Sequence, residues 1–400
     1  MIVEITGTST RNKGAELMLV AIAEHLRESV PDATLVVTTG FGTYTERASY
    51  GLSSKLASTK LGRISMLTAI MPTALRRAYG MVTEPEIDVV IDASGFAFSD
   101  QLGARRVEQF ATDVRRWKNQ GKRVVLLPQA LGPFETDRVR NAFNDILDRA
   151  DLVFARDKVS YQHLQHLQPN HQNVRLAPDF TNLVAGEIPP GYEPQARHAC
   201  IVPNHRMVEK TNSREQAEYI PFLTKCIAEL RKRDIAPLLL LHDTHTDEEL
   251  VQPIQSAIAT PIPVLRESNP RRLKGILGAA HVVVGSRFHA LVGALSQAVP
   301  CIGAGWSHKY QMLFEDYDCP ECLLSTDTPC DEIGVLVKQI ANGSGRDKLV
   351  GRLTAAGKEQ VRSVHKMWAE VDTLLGLESG ELGKPRPSMS VNGESCAVPV

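Results

Sequence analysis

Between positions 286 and 309 the chain places an arginine, two histidines and a lysine, as Ser286-Arg287-Phe288-His289 and then His308-Lys309. Arg287 offers a planar fork suited to a carboxylate or phosphate, and Lys309 a second cation. His289 and His308 exchange protons near neutral pH. Together these types suit a small ligand with more than one anionic group whose reaction needs a proton moved. The apolar run HVVVG precedes them, Gly285-Ser286 makes the turn, and RFHALVGALSQA continues as a helix. Free backbone N–H groups and the helix dipole at such a start already favour an anion.

A second set of donors follows the first apolar run, in GTSTRNKGAELMLVAIAEHL at residues 7–26. This is neither GxGxxG nor a Walker loop, since Gly7 and Gly14 are too far apart and no GK[ST] occurs. Ser9, Thr10, Asn12 and Lys13 offer hydroxyl, amide and ammonium groups, and Gly14 permits close backbone approach. Capping of the helix by these same residues is an equally good account of them. Later runs end at Asp92, Gln129, Arg156 and Asp179, each a candidate to face the same ligand. Arg156-Asp157 with Ser160 reads first as a structural pair with a helix cap.

In the second half Asn204, His205 and Arg206 follow one run, and His242, Asp243 and His245 another. The latter spacing resembles a metal site, but no further ligands cluster nearby and no metal is predicted. Cys319-Pro-Glu-Cys322 likewise has no second pair after it. Seven scattered cysteines, an odd number, fit reduced thiols in a cytoplasm.

These residues need a scaffold that brings run ends together. MIVEIT, TLVVTT, IDVVIDA, KRVVLLP and DLVFA in the first half, and ACIVP, APLLLL, PIPVL, HVVVG and PCIG in the second, are apolar runs separated by helical patterns. Strands apolar on both faces and separated by helices predict parallel sheets covered on both sides. The fold class is therefore α/β, with two Rossmann-like doubly wound domains facing a cleft. Residues 1–183 form the first domain, the Pro- and Gly-rich 184–197 a linker, 198–344 the second domain and 345–376 a long helix. Residues 377–400 lose periodicity and read as a disordered tail. Ligands of such sheets bind at strand carboxyl ends, where all the candidates fall.

Composition narrows the function. The 400 residues are 43% hydrophobic and 23% charged, as in globular proteins, with a net charge of −1. No global field attracts nucleic acid, so an anion site must be local. The opening lacks a basic n-region and no apolar run reaches about 18 residues, which predicts a cytoplasmic chain. In residues 61–82 Met66, Leu67, Ile70 and Met71 lie close to Arg63, Arg76 and Arg77, a pattern that fits either a covering helix or contact with a lipid surface.

Taken in order, Asn12-Lys13-Gly14, PQALGP, ARDKVS, APD, GSRFHALVGALSQAVP and His308-Lys309 resemble the polysaccharide pyruvyl transferase family over about residues 5–340. The resemblance implies a glycosyltransferase-B-like fold and transfer of the enolpyruvyl unit of phosphoenolpyruvate to a sugar, as a pyruvate ketal. It also implies phosphate release, no redox cofactor, and a sugar or lipid-linked oligosaccharide as acceptor. Arg287 and His289 match the family's basic donor-site motif and Lys309 the lysine after it. Ala15-Glu16 departs from the Asp that often follows the glycine. On that reading Arg287 and Lys309 hold the donor, His289 or His308 moves the proton, and Asp92 or Asp179 orients the acceptor hydroxyl. Two alternatives share the architecture: a nucleotide-sugar glycosyltransferase, and a non-catalytic sugar-binding subunit.

Overall fold

Short β-branched runs bounded by turn residues pair as strands, because their side chains can be buried on both faces once helices cover them. In the computed structural model, which describes residues 1–56, 71–193, 197–209, 211–243 and 246–377, they build two parallel sheets. The first contains β1 (Ile2–Thr6), β2 (Thr34–Thr38), β3 (Ser53–Lys55), β4 (Met81–Val82), β5 (Val89–Asp92), β6 (Phe96–Phe98), β7 (Arg123–Leu131), β8 (Leu152–Ala155) and β9 (Val174–Leu176). Its order is β4-β3-β2-β1-β5-β7-β8-β9, with β6 paired to β7. The second contains β10 (His198–Val202), β11 (Ala236–Leu241), β12 (Val264–Arg266), β13 (Val282–Gly285) and β14 (Cys301–Gly303), ordered β12-β11-β10-β13-β14.

Strand order reverses between β1 and β5 and again between β10 and β13. Each reversal opens a crevice at the carboxyl ends, the place where doubly wound sheets bind ligands. The first sheet has an apolar cluster on each face, and the second is enclosed by a single large one.

The two carboxyl-end mouths meet. The helix Lys13–Ser29 starts against the helix Phe288–Leu295: a Cβ on Gly14 would lie 2.3 Å from Nδ1 of His289. Only glycine permits that approach. Lys274 donates to the Thr181 carbonyl at 2.8 Å, Tyr317 to Asn182 at 3.0 Å, and Arg271 pairs with Glu24. The helix Gly343–Leu375 then spans both bodies. Leu349 and Leu353 enter the core of the second, while Val364, Met367, Trp368, Val371 and Leu375 enter that of the first. Trp368 stacks on His25 with ring centroids 3.9 Å apart, and His25 meets Asp372 at 2.8 Å.

The short edge strands β3 and β4 have no counterpart among the apolar runs of the sequence, since Ser-Ser-Lys carries no periodic signal. β3 is held by pairing with β2 and by Lys55 reaching the buried Glu4, and β4 by pairing with β3. Of residues 61–82, positions 61–70 lie outside the described residues. Thr73–Ala78 is a helix in which Arg76 turns inward to pair with Glu86, leaving Leu75 and Tyr79 exposed. The tail expected at 377–400 lies outside the described residues except Leu377. Among the described residues no helix is long and apolar enough to cross a membrane, and no group of three His, Cys, Asp or Glu is placed to hold a metal.

Candidate active site between the two sheets

The geometry gives Arg287 a carboxylate partner within its own domain. Its Nε donates to Asp247 Oδ2 at 2.9 Å, its Nη2 to Oδ1 of the same carboxylate and to Thr246 Oγ1 at 3.1 Å, and Asp243 lies 3.6 Å away. Asp247 is fully buried and also accepts from the backbone N–H groups of His205 and Asp243, at 3.0 and 3.1 Å. Two of the three guanidinium nitrogens are thus engaged by a carboxylate that sequence spacing cannot connect to them, and Arg287 clamps the loop after β11 to the start of the β13 helix. Ser286 is similarly engaged. Its hydroxyl bonds to that of Tyr219, and its carbonyl accepts from Asn204 at 2.6 Å and Tyr310 at 2.9 Å. Arg206 is outside the cluster, exposed and paired with Glu209 at 2.7 Å.

The loop after β8 supplies a second arginine at this mouth. The Arg156 guanidinium lies flat over the Phe288 ring, 4.1 Å from its centroid, and bonds Asp179 Oδ2 at 3.3 Å through Nη1 alone. His289 Nε2 stands 3.5 Å from the same oxygen. Asp179 follows β9, starts the short helical turn Phe180–Leu183, and accepts from Thr181 N at 3.0 Å and Oγ1 at 2.5 Å. Lys309, in the first turn of the helix His308–Asp316 after β14, sends Nζ among four rings. The centroids of Phe96, Trp306, Tyr310 and Phe288 are 5.0, 5.0, 5.4 and 5.5 Å from it. No carboxylate among the described residues forms an ion pair with it. Aromatic faces attract an ammonium but leave its hydrogen-bond donors unused.

The electrostatics follow from this enclosure. Burial, reinforced by the nearby Arg156 and Arg287, pulls the Lys309 ammonium down to about 7. Burial also lowers His289 to about 4, against the opposing pull of Asp179, so its ring is neutral at pH 7. For Asp179 burial opposes ionisation, but the cationic groups facing it and the Thr181 bonds outweigh that and hold it below the usual carboxylate range. Several buried polar atoms around this mouth have no hydrogen-bond partner, among them Thr8 Oγ1, Gln129 Oε1, His242 Nδ1, His289 Nε2 and Ser307 Oγ. Buried polar groups in folded proteins are ordinarily satisfied, so His289 Nε2 and Ser307 Oγ are free to meet a polar occupant.

The first sheet's own candidates hold one another. Asp92 accepts from Thr6 at 2.9 Å, Ser94 Oγ at 2.8 Å and Gln129 at 3.1 Å, bracing the β1/β5 switch point. Asn12 caps its helix through Gly14 N at 2.9 Å, and Lys13 pairs with Glu16 at 2.6 Å. Asp157 caps the helix Lys158–Leu167, accepting from Ser160 N at 2.7 Å. Arg156 and Asp157 therefore act separately, one toward the cleft and one toward its helix. Phe288, Phe96 and Trp306 were not singled out by sequence reasoning. Phe288 was open to it, since it sits between Arg287 and His289 in the motif.

A family model described as polysaccharide pyruvyl transferase matches residues 12–308. The chain belongs to the polysaccharide pyruvyl transferase family. Every residue of the Arg156, Asp179 and His289 cluster lies within the matched segment of this family member, and Lys309 directly follows it. A sequence comparison with curated proteins returned no match. In fold the family member is similar to Anabaena HepE in complex with UDP-glucose, at TM-score 0.59, 14% identity and coverage of 94% of this chain and 99% of that one. It is also similar to a glycosyltransferase from Rickettsia africae (0.58, 12%, 95% and 99%) and to Neisseria meningitidis UDP-GlcNAc 2-epimerase bound to UDP-GlcNAc (0.55, 10%, 94% and 99%). The architecture is glycosyltransferase-B-like.

Proposed function

We propose that this chain transfers the enolpyruvyl unit of phosphoenolpyruvate to two hydroxyls of a sugar, forming a pyruvate ketal and releasing phosphate. The observation that carries the reading is the meeting of Arg156 and Lys309 over Phe288, two buried cations with most of their donors unused. Phosphoenolpyruvate brings a carboxylate and a phosphate within a few bonds of each other, which matches two cations of different geometry. Arg156 takes one group through its fork and Lys309 the other, while neutral His289 offers a ring N–H from the Asp179 side.

The chemistry begins with a proton delivered to the methylene carbon, leaving C2 electrophilic. A sugar hydroxyl then bonds to C2 and loses its proton, phosphate leaves with the electrons of its C–O bond, and a second hydroxyl closes the ring. Lys309, poised near neutral pH, is the proton donor best matched to the first step, and Arg156, which keeps its charge throughout, stabilises the leaving phosphate. No metal or redox cofactor is required by this scheme, with phosphoenolpyruvate as co-substrate. The exposed Leu75 and Tyr79 beside Arg77 suit contact with a lipid-linked acceptor at a membrane surface; unchanged elution in the presence of anionic vesicles at low salt would remove that contact.

Calorimetry with phosphoenolpyruvate on the wild type and Arg156→Ala tests the reading, with uridine diphosphate as competitor. Binding that is lost in the variant and indifferent to the nucleotide is expected. Binding of the nucleotide alone would instead indicate glycosyl transfer, the reading suggested by the ligands of the fold neighbours.

A further inference from the structure

We infer that Asp157 and Ser160 fix His308 in the tautomer protonated at Nε2, leaving Nδ1 as the base that takes the acceptor hydroxyl's proton. This rests on the pyruvyl-transfer reading and assigns its acceptor side. His308 opens the helix His308–Asp316 and reaches across to the first domain, where Nε2 stands 3.5 Å from Ser160 Oγ and 3.8 Å from Asp157 Oδ1. Its side chain is 18% exposed, whereas that of Asp157 is 4% exposed.

The tautomer follows from counting protons. Ser160 Oγ has one hydrogen, which it donates to Asp157 Oδ2 at 3.0 Å, and it accepts from Leu131 N at 2.9 Å. What remains on Oγ is a lone pair, and Asp157 offers only acceptors. Nε2 therefore faces acceptors alone and must carry the hydrogen. Nδ1 makes no hydrogen bond among the described residues and keeps its lone pair. When Nδ1 takes a proton, the positive charge faces buried Asp157, which stabilises the imidazolium without touching the acceptor; Asp157 and Ser160 are positioning residues.

The surroundings fit a sugar. Phe96 lies 6.0 Å from Trp306 at a 55° tilt and 6.5 Å from the His308 ring, and His163 lies 6.1 Å from that ring. Ser307 Oγ, immediately preceding His308, is buried and lacks a partner, so it can meet a sugar hydroxyl. In the transfer step the hydroxyl O–H bond breaks, its electron pair forms the bond to C2, and the proton passes to Nδ1. The departing phosphate or solvent then takes it back. The charged and titratable groups acting on His308 are Asp157, His163, Arg156 and Lys309; burial lowers its pKa and Asp157 opposes that.

Nitrogen-15 NMR of histidine-labelled full-length protein decides the matter, with His308→Gln giving the assignment. Wild type should show Nε2 protonated and Nδ1 bare. Asp157→Asn keeps the helix cap, because Asn caps as well as Asp, but removes the charge. Its His308 should titrate at lower pH. With phosphoenolpyruvate and methyl β-galactoside as probe acceptor, kcat for phosphate release should fall about tenfold or more and the acidic limb should move to lower pH. A bare Nε2 in wild type, or an Asp157→Asn protein whose His308 titrates as in wild type, overturns the inference whether or not this acceptor is used. Failure of phosphoenolpyruvate to bind wild type in calorimetry removes the pyruvyl-transfer reading instead and leaves the tautomer result unaffected.

Discussion

Arg287 and Arg156 are buried to nearly the same degree, 8% and 5% exposed, and each follows a strand's carboxyl end. Arg287 meets one carboxylate with two of its nitrogens, and that carboxylate is itself anchored by two backbone N–H groups. Arg156 makes one 3.3 Å bond and rests on an aromatic face. A charge gripped at two nitrogens by one anchored carboxylate braces the fold; a charge with most of its donors left over can bind. Burial alone does not distinguish them, and hydrogen-bond accounting does.

The largest effect expected tests the brace. Arg287→Ala strands Asp247 without its cation and should lower unfolding free energy by about 3–5 kcal/mol in urea titration. Arg156→Ala should cost less stability, because Asp179 keeps both Thr181 bonds. Equal losses would collapse the comparison. Arg156→Ala should instead weaken phosphoenolpyruvate by about 100-fold in calorimetry, the scale of one or two charge-assisted hydrogen bonds.

Gly14→Ala tests the approach of the two mouths. The new methyl group would lie 2.3 Å from His289 Nδ1, so the ring or the helix must move, at a cost of about 1–3 kcal/mol. A lowered Tm together with weaker donor binding is expected; an unchanged donor affinity would separate His289 from the site.

The pH dependence sharpens the role of Lys309. Its ammonium in the free protein is lowered to about 7, so above that pH the unliganded Lys309 is mostly neutral. An anion binds the protonated form, so binding takes up a proton and affinity falls as pH rises, by up to about tenfold per unit. Calorimetry in two buffers of different ionisation heat measures that uptake. Lys309→Met should flatten the slope. The smallest effect belongs to Arg206→Ala, an exposed residue paired only within its own short helix, which should shift stability by no more than about 0.5 kcal/mol and leave donor affinity unchanged.

The sequence by itself determined the class of fold and the set of mouths at which chemistry is possible. Each apolar run it shows, from Ile2–Thr6 to Cys301–Gly303, is a parallel strand, because burial on both faces requires an uninterrupted apolar run and little else satisfies that requirement. It did not announce β3 or β4, whose pairing depends on a neighbour and not on their own composition. It also named Arg156, Asp179, His289 and Lys309 as residues at run ends. What only the tertiary structure decided is which of those charges are already neutralised. Asp247 is 40 positions from Arg287, and Asp179 is 23 from Arg156. Sequence spacing carries no record of contacts at that range. The partner of a buried charge is set by how strands and helices pack in space, and that packing separated the brace from the site.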